Sequence, residues 1–98
     1  MNTYAIAPAA RDDLGDIADY IARDSPAAAH RVMDAIFETF ASLAARPGIG
    51  HVRSDLTDQP VRFWTVLGRY LIVYRERSAG VEVVRVLGPG RDVAEILK

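Results

Sequence analysis

The spacing of apolar residues changes period along this chain, and each change marks a new element. Thr3-Tyr4-Ala5-Ile6-Ala7 alternates large and small residues and stops at Pro8, which predicts a short strand. Leu14, Ile17, Ala18 and Ile21 then fall at i, i+3, i+4 and i+7, the single apolar stripe of an amphipathic helix, with Asp12, Asp13, Asp16 and Asp19 mostly outside it. Aspartates near the start of that helix also suit the positive end of its dipole. Ser25-Pro26 predicts a restart, because serine can cap free amides and proline loses nothing at the first helical position. Ala29, Val32, Met33, Ile36, Phe37, Phe40, Leu43 and Ala44 keep helical spacing until Pro47-Gly48 ends the pattern, so the two helices form a hairpin.

Residues 47–60 are long for a connection in so short a chain, which is a mark of a functional or mobile loop, and they carry His51 and Arg53. Three β-rich runs follow, Val61 to Val66, Arg69 to Arg75 and Val81 to Leu87, with turns at Gly68 and Gly80. Runs this close predict an antiparallel meander, since parallel neighbours need crossovers of about a dozen residues. Along the middle run Tyr70, Ile72 and Tyr74 share one side and Leu71, Val73 and Arg75 the other, so both sides are at least partly covered. The tail, from Gly88-Pro89-Gly90 to Lys98, predicts a sharp loop and a short helical turn carrying Val93, Ile96 and Leu97. The predicted fold is α+β: a β-α-α-β-β-β order, a helical hairpin packed on a small, mainly antiparallel sheet, and a short C-terminal helical turn. Length and the absence of any linker or repeat make residues 1–98 a single domain.

Composition narrows the function classes. Half the residues are hydrophobic and 26% are charged, an ordinary globular balance. No apolar run approaches the roughly 18 residues of a spanning helix, and Met1 to Ile6 lacks the layout of a signal peptide, so a cytoplasmic protein without membrane contact is expected. There is no cysteine, and His30 and His51 are too few for a metal cluster. The chain has no phosphate-binding glycine loop, dinucleotide fingerprint or nucleophile elbow, so no metal and no cofactor is expected.

The net charge of -1 argues against nonspecific nucleic-acid binding, but the charges are unevenly placed. Residues 1–24 hold Asp12, Asp13, Asp16, Asp19 and Asp24 against two arginines, whereas residues 61–91 hold six arginines against two glutamates. Eleven of the twelve cations are arginine, whose planar guanidinium grips phosphate or carboxylate in a bidentate way. Arg62, Arg69, Arg75 and Arg85 fall on or beside the predicted sheet, and Arg53 and Arg91 lie in loops that can fold over it. Two arrangements are open, one cationic patch that grips a target or a phosphate backbone, and scattered surface arginines. Trp64, half exposed on a strand, and Tyr70 are candidate anchors for a protein partner, although the core also competes for the tyrosines. A metal-free RNA-cleaving site needs a base, an acid and cations, and only the cations are evident. Histidine is a residue type suited to acid-base work, but His51 on a glycine-rich loop reads more readily as a solvated side chain, so no catalytic residue is assigned.

Several strings, in this order, resemble the ParE branch of the RelE/ParE toxin superfamily. They are Ala10-Arg11-Asp12-Asp13-Leu14 with Ile17 and Tyr20-Ile21, the Pro26 restart, and Leu43-Ala44-Ala45-Arg46-Pro47-Gly48 followed by Gly50-His51-Val52-Arg53. Val61-Arg62-Phe63-Trp64, Tyr70-Leu71-Ile72-Val73-Tyr74-Arg75, Val81 to Leu87 and Arg91-Asp92 complete them. The resemblance implies the toxin of a type II toxin-antitoxin system that inhibits DNA gyrase by stabilising its cleaved complex with DNA. It also implies a cognate, ParD-like antitoxin that neutralises the toxin in a hetero-oligomer, without sequence-specific nucleic-acid binding by the toxin alone. RelE-like relatives instead cut mRNA on the ribosome, with a tyrosine or histidine and cations near the final strand and tail. Here no tyrosine follows Tyr74 and Lys98 is the only lysine, which favours the gyrase reading over the nuclease. A member that binds its antitoxin and poisons nothing is a third reading. The chain departs from the family pattern Arg-Val-Leu-His-Gly-x-Arg-Asp: Gly88-Pro89-Gly90 separates Leu87 from Arg91, and either activity is altered or the turn replaces the histidine structurally.

Overall fold

A computed structural model describes residues 2–98. The elements are β1 (Thr3–Ile6), α1 (Pro8–Ala22), α2 (Pro26–Ala45), a 3-10 turn at Pro47–Ile49, β2 (Arg62–Val66), β3 (Tyr70–Arg77), β4 (Gly80–Leu87) and α3 (Val93–Ile96). This is the expected β-α-α-β-β-β order with its short C-terminal helix. The Ser25 hydroxyl accepts a hydrogen bond from the Ala28 amide, so the restart works through the predicted serine cap and Pro26. In α1 the helix begins at Pro8, which leaves no acidic residue in its first turn, so the expected dipole advantage of Asp12 and Asp13 does not arise.

The sheet order is β1-β4-β3-β2. β2, β3 and β4 form the predicted antiparallel meander, whereas β1 pairs parallel to β4 through Thr3↔Gly80 to Ile6↔Val83. The hairpin and the first two meander strands lie between β1 and β4 in the chain, ample length for a parallel crossover. The β2–β3 turn places Leu67 at φ 56 and Gly68 at φ 64, the two positive angles of a type I′ turn. The β3–β4 ladder shifts register between Val73 and Tyr74: Val73 faces Arg85 and Tyr74 faces Val83, so Val84 is the extra residue of a bulge. Plain alternation along Val81 to Leu87 could not place it.

Two apolar layers result, one on each face of the sheet. Between hairpin and sheet, Ile36, Phe40 and Leu43 of α2 meet Ile72, Tyr74 and Val83, with Ala10 and Leu14 contributed by α1. On the opposite face Val61, Phe63, Val73, Leu87 and Leu97 pack beneath the 52–60 loop and α3, joined by Leu56, Val93 and Ile96. The alternation expected of β3 therefore holds, with Tyr70, Ile72 and Tyr74 on the hairpin side and Val73 on the other. The long connection is also pinned: His51 and Phe63 exchange backbone hydrogen bonds of 2.9 and 2.8 Å, and Gln59 donates to the Leu97 carbonyl at 2.5 Å. No helix is long and apolar enough to cross a membrane among the described residues.

One α1 residue contradicts the amphipathic reading. Asp13 is only 7% exposed, buried on the packed face with Ala10 and Leu14. β4 outlasts β1, whose pairing stops at Val83, so the Val86 amide has no strand partner on that side. The Asp13 carboxylate takes the strand's place, accepting from the Val86 amide at 2.9 Å and from Arg85 Nε and Nη2 at 2.8 Å each.

Candidate functional groove

Because both faces of the sheet are covered, the six candidate arginines cannot converge on a bare concave surface, and they divide instead into two groups. Four are engaged within the chain. Arg53 holds Asp55 in a bidentate pair at the surface, and its hydrogen bond lowers the Asp55 pKa from the usual range. Arg62 donates to the Gly50 carbonyl at 3.0 Å and stands 3.6 Å from Glu76. Arg75 pairs with Glu82 at 2.8 Å, a carboxylate it shares with Arg77. Arg85 is held by Asp13 with its side chain 22% exposed, and this hydrogen bond raises its pKa further, so it is withdrawn from any external target.

Arg69 and Arg91 form the second group. Neither has an acidic partner within 4.0 Å among the described residues, and both line the same open groove of about 700 Å³. Arg69 enters it from the end of the β2–β3 turn and Arg91 from the loop after β4, so two distant stretches of chain supply one cationic rim. The floor is apolar, built by Ile17 and Ile21 of α1, Val32 of α2 and the ring of Tyr70. The other side is acidic: Asp16 of α1 and Asp24 of the α1–α2 turn border the groove together with Tyr20.

Of the two aromatic anchor candidates, Tyr70 is 8% exposed and belongs to the core beneath this groove, where only part of its ring is open. Trp64 lies on the edge strand β2, half-buried, with its ring stacked on His51 at 5.9 Å and an interplanar angle of 14°. Trp64 packs against the same hairpin-side core as Tyr70 but does not line the groove. Residues that sequence reasoning passed over are Asp16, Tyr20 and Asp24. Asp16 and Tyr20, four residues apart, share one flank of α1 beside Ile17 and Ile21, and that spacing was the available signal; Asp24 follows in the α1–α2 turn. A smaller hollow of about 380 Å³ between the 52–61 loop and β3 carries Arg62 and Arg75, both already engaged by glutamates.

The departure from the family's histidine also acquires a location. Gly88, the residue following Leu87, lines the groove beside Tyr70. A Cβ built on Gly88 would come no closer than 3.9 Å, to the Tyr70 ring, so the backbone leaves room for a side chain that this chain does not have.

Tyr74, the tyrosine closest in sequence to the final strand, is wholly buried. Its hydroxyl donates to the Pro47 carbonyl at 2.8 Å and accepts from the Gly50 amide at 2.8 Å, tying the 3-10 turn to the sheet. Burial raises its pKa above the usual phenol value, against the opposing hydrogen bond from Gly50. Tyr74→Phe is expected to cost about 1–3 kcal/mol by leaving both backbone groups unpaired. The sign of the pH effect follows from the raised pKa: its stabilising contribution is complete below about pH 10, the unfolded value, and is lost as pH rises through the higher folded value. Urea melts from pH 8 to 11 should therefore show a shallower alkaline loss for Tyr74→Phe, and parallel curves would contradict the assignment.

The comparisons with known proteins agree with this fold. The family described as the ParE toxin of the type II toxin-antitoxin system, parDE, matches residues 4–93. No curated protein sequence matches the chain. Among solved structures, a chain of the chromosomal ParDE TA system from P. aeruginosa superposes with a TM-score of 0.71 at 22% identity, covering 90% of this chain and 96% of that one. That likeness is one of fold, while the family match spans nearly all the elements described above. This chain belongs to the ParE toxin family of the type II toxin-antitoxin system parDE.

Proposed function

We propose that this protein is a toxin that works by binding rather than by cutting: it engages DNA gyrase, stabilises the cleaved gyrase–DNA complex, and is neutralised in the cytoplasm by a cognate ParD-like antitoxin. The observation that carries the binding half is the division of the arginines. Those nearest the groups a nuclease would use are already committed, Arg85 to Asp13 and Arg62 to Gly50 and Glu76, and the Tyr74 hydroxyl is consumed by the Pro47 and Gly50 backbone. Those without an acidic partner among the described residues, Arg69 and Arg91, border a groove with an apolar floor. A cationic rim over an apolar floor suits an acidic, amphipathic protein segment better than a scissile phosphate, which needs a free base and acid beside the cations. An antitoxin segment that is disordered when free and folds on contact would mask the toxin in this way. The gyrase half rests on family membership, with which the committed arginines are compatible.

Induced expression with and without the adjoining antitoxin gene tests the proposal. Filamentation, DNA-damage signalling and trapped gyrase–DNA complexes are expected, all suppressed by co-expression of the antitoxin. Arrest of protein synthesis with ribosome-dependent mRNA cleavage, abolished by Arg53→Ala or Arg85→Ala, would replace this reading with the nuclease. Growth without any defect, alongside retained antitoxin binding, would identify a non-toxic member.

A further inference from the structure

Among the described residues Leu67 is the only one other than glycine with a positive φ, 56° in the turn between β2 and β3. A leucine there suffers the contact between Cβ and carbonyl oxygen that glycine lacks and asparagine tolerates better. Its side chain gains no burial in return: it is 57% exposed and belongs to neither apolar layer. The turn closes through the Arg69 amide and the Val66 carbonyl at 3.1 Å, a backbone bond that needs no leucine at position 67. A Cβ on Gly68 would meet no atom within 4 Å, so the tip stands clear of the rest of the molecule. Strain that nothing inside the chain rewards points to a contact outside it.

The surroundings of the tip indicate the surface it meets. Arg69, two residues on, is exposed and has no acidic partner within 4.0 Å among the described residues. An exposed leucine beside an unpaired guanidinium matches an apolar pocket on a protein with a carboxylate at its edge. A DNA backbone fits less well, because Asp16 and Asp24 line the groove that Arg69 also borders and the net charge of the chain is -1. Leu67 itself does not line that groove, so the tip is separate from the surface read above as the place of the antitoxin.

We propose that Leu67 is the anchor by which this protein grips its target, seated in an apolar pocket of DNA gyrase whose carboxylate edge meets Arg69. The proposal rests on the gyrase reading above and adds the residue that makes the contact. Leu67 thereby exchanges stability for grip: asparagine would suit the backbone of this turn better but would leave the pocket unfilled.

Two substitutions separate the apolar tip from the strain: Leu67→Asn relieves the backbone and removes the tip, whereas Leu67→Met keeps both. Each is compared with the unmodified protein by thermal melting, by calorimetric titration with the product of the adjoining antitoxin gene, and by trapping of cleaved complexes with purified gyrase on supercoiled plasmid. Leu67→Asn is expected to melt about 4 °C higher, as relief of one left-handed leucine gives in a domain of this size. Its affinity for the antitoxin should stay within about threefold, because the tip lies outside the groove. It should need at least roughly tenfold more protein to trap the same fraction of gyrase, as loss of a central anchor does. Leu67→Met should match the unmodified protein in all three measurements. A merely structural role would move stability and potency together, whereas a target contact moves them in opposite directions. Undiminished trapping by Leu67→Asn, a lower melting temperature, or an equal loss of antitoxin affinity overturns the proposal while the gyrase reading stands. Binding of the unmodified protein to the plasmid alone, abolished in Leu67→Asn, overturns it in favour of a DNA contact. Failure of the unmodified protein to trap gyrase removes both readings.

Discussion

Replacing Asp13 by alanine is expected to lower the stability of this protein by about 3–5 kcal/mol, the range for removing one partner of a buried ion pair. In a domain of this size that corresponds to a fall in Tm of roughly 15 °C or more. The loss has two parts. The Arg85 guanidinium, 22% exposed, is left without its bidentate acceptor, and the buried Val86 amide loses the oxygen that replaces a neighbouring strand. Asp13→Asn keeps one oxygen for that amide and should fall between the two. Asp13→Leu combined with Arg85→Met removes both charges and should recover much of the loss of the single variant, because desolvating the pair offsets most of its mutual attraction. Equilibrium urea denaturation of the four proteins checks the ordering. An alanine variant within about 1 kcal/mol of the parent would show that the pair is not a structural tie. The matter bears on function because Arg85 released from Asp13 would become a free cation on the final strand, where a nuclease would want one.

The second large effect is expected at Gly80. Its φ is 137°, a region that side chains rarely adopt, and a Cβ there would collide with the Thr3 carbonyl and amide. Thr3 pairs with Gly80 and its amide donates to Ala79 at 2.7 Å, so the tight approach is the attachment point of β1. Gly80→Ala should cost roughly 3 kcal/mol, combining backbone strain with displacement of the strand. Native-state hydrogen exchange locates the damage: the Ala7 amide, which donates to the Val83 carbonyl, should lose protection first, while the meander amides follow only the global change. Uniform loss across the sheet would mean that β1 and the meander unfold as one unit.

Neither prediction touches the groove, and that separation makes mutagenesis interpretable. Asp13, Arg85 and Gly80 hold the α1–β4–β1 side together, whereas Arg69, Arg91, Asp16 and Asp24 are exposed around the opening. A stability variant lowers toxin level and antitoxin binding alike, while a groove variant is expected to alter binding in a folded protein.

Local chemistry in the chain was sufficient for the hairpin, the serine cap before Pro26, the antiparallel meander and the division of β3 between two apolar layers. Each depends on residues within a few positions of one another, where helical period, proline, glycine and strand alternation act directly. Tertiary structure alone decided three matters. Asp13 reads as a solvent-side residue of an amphipathic helix until β1 ends short and an unpaired Val86 amide requires an acceptor. The six arginines looked alike in sequence, and only the placement of Asp13, Asp55, Glu76 and Glu82 separated the four engaged ones from Arg69 and Arg91. The groove itself draws on α1, α2, the β2–β3 turn and the loop after β4, and charge neutralisation between residues so distant in the chain is set by the packing of those elements, which no local pattern encodes.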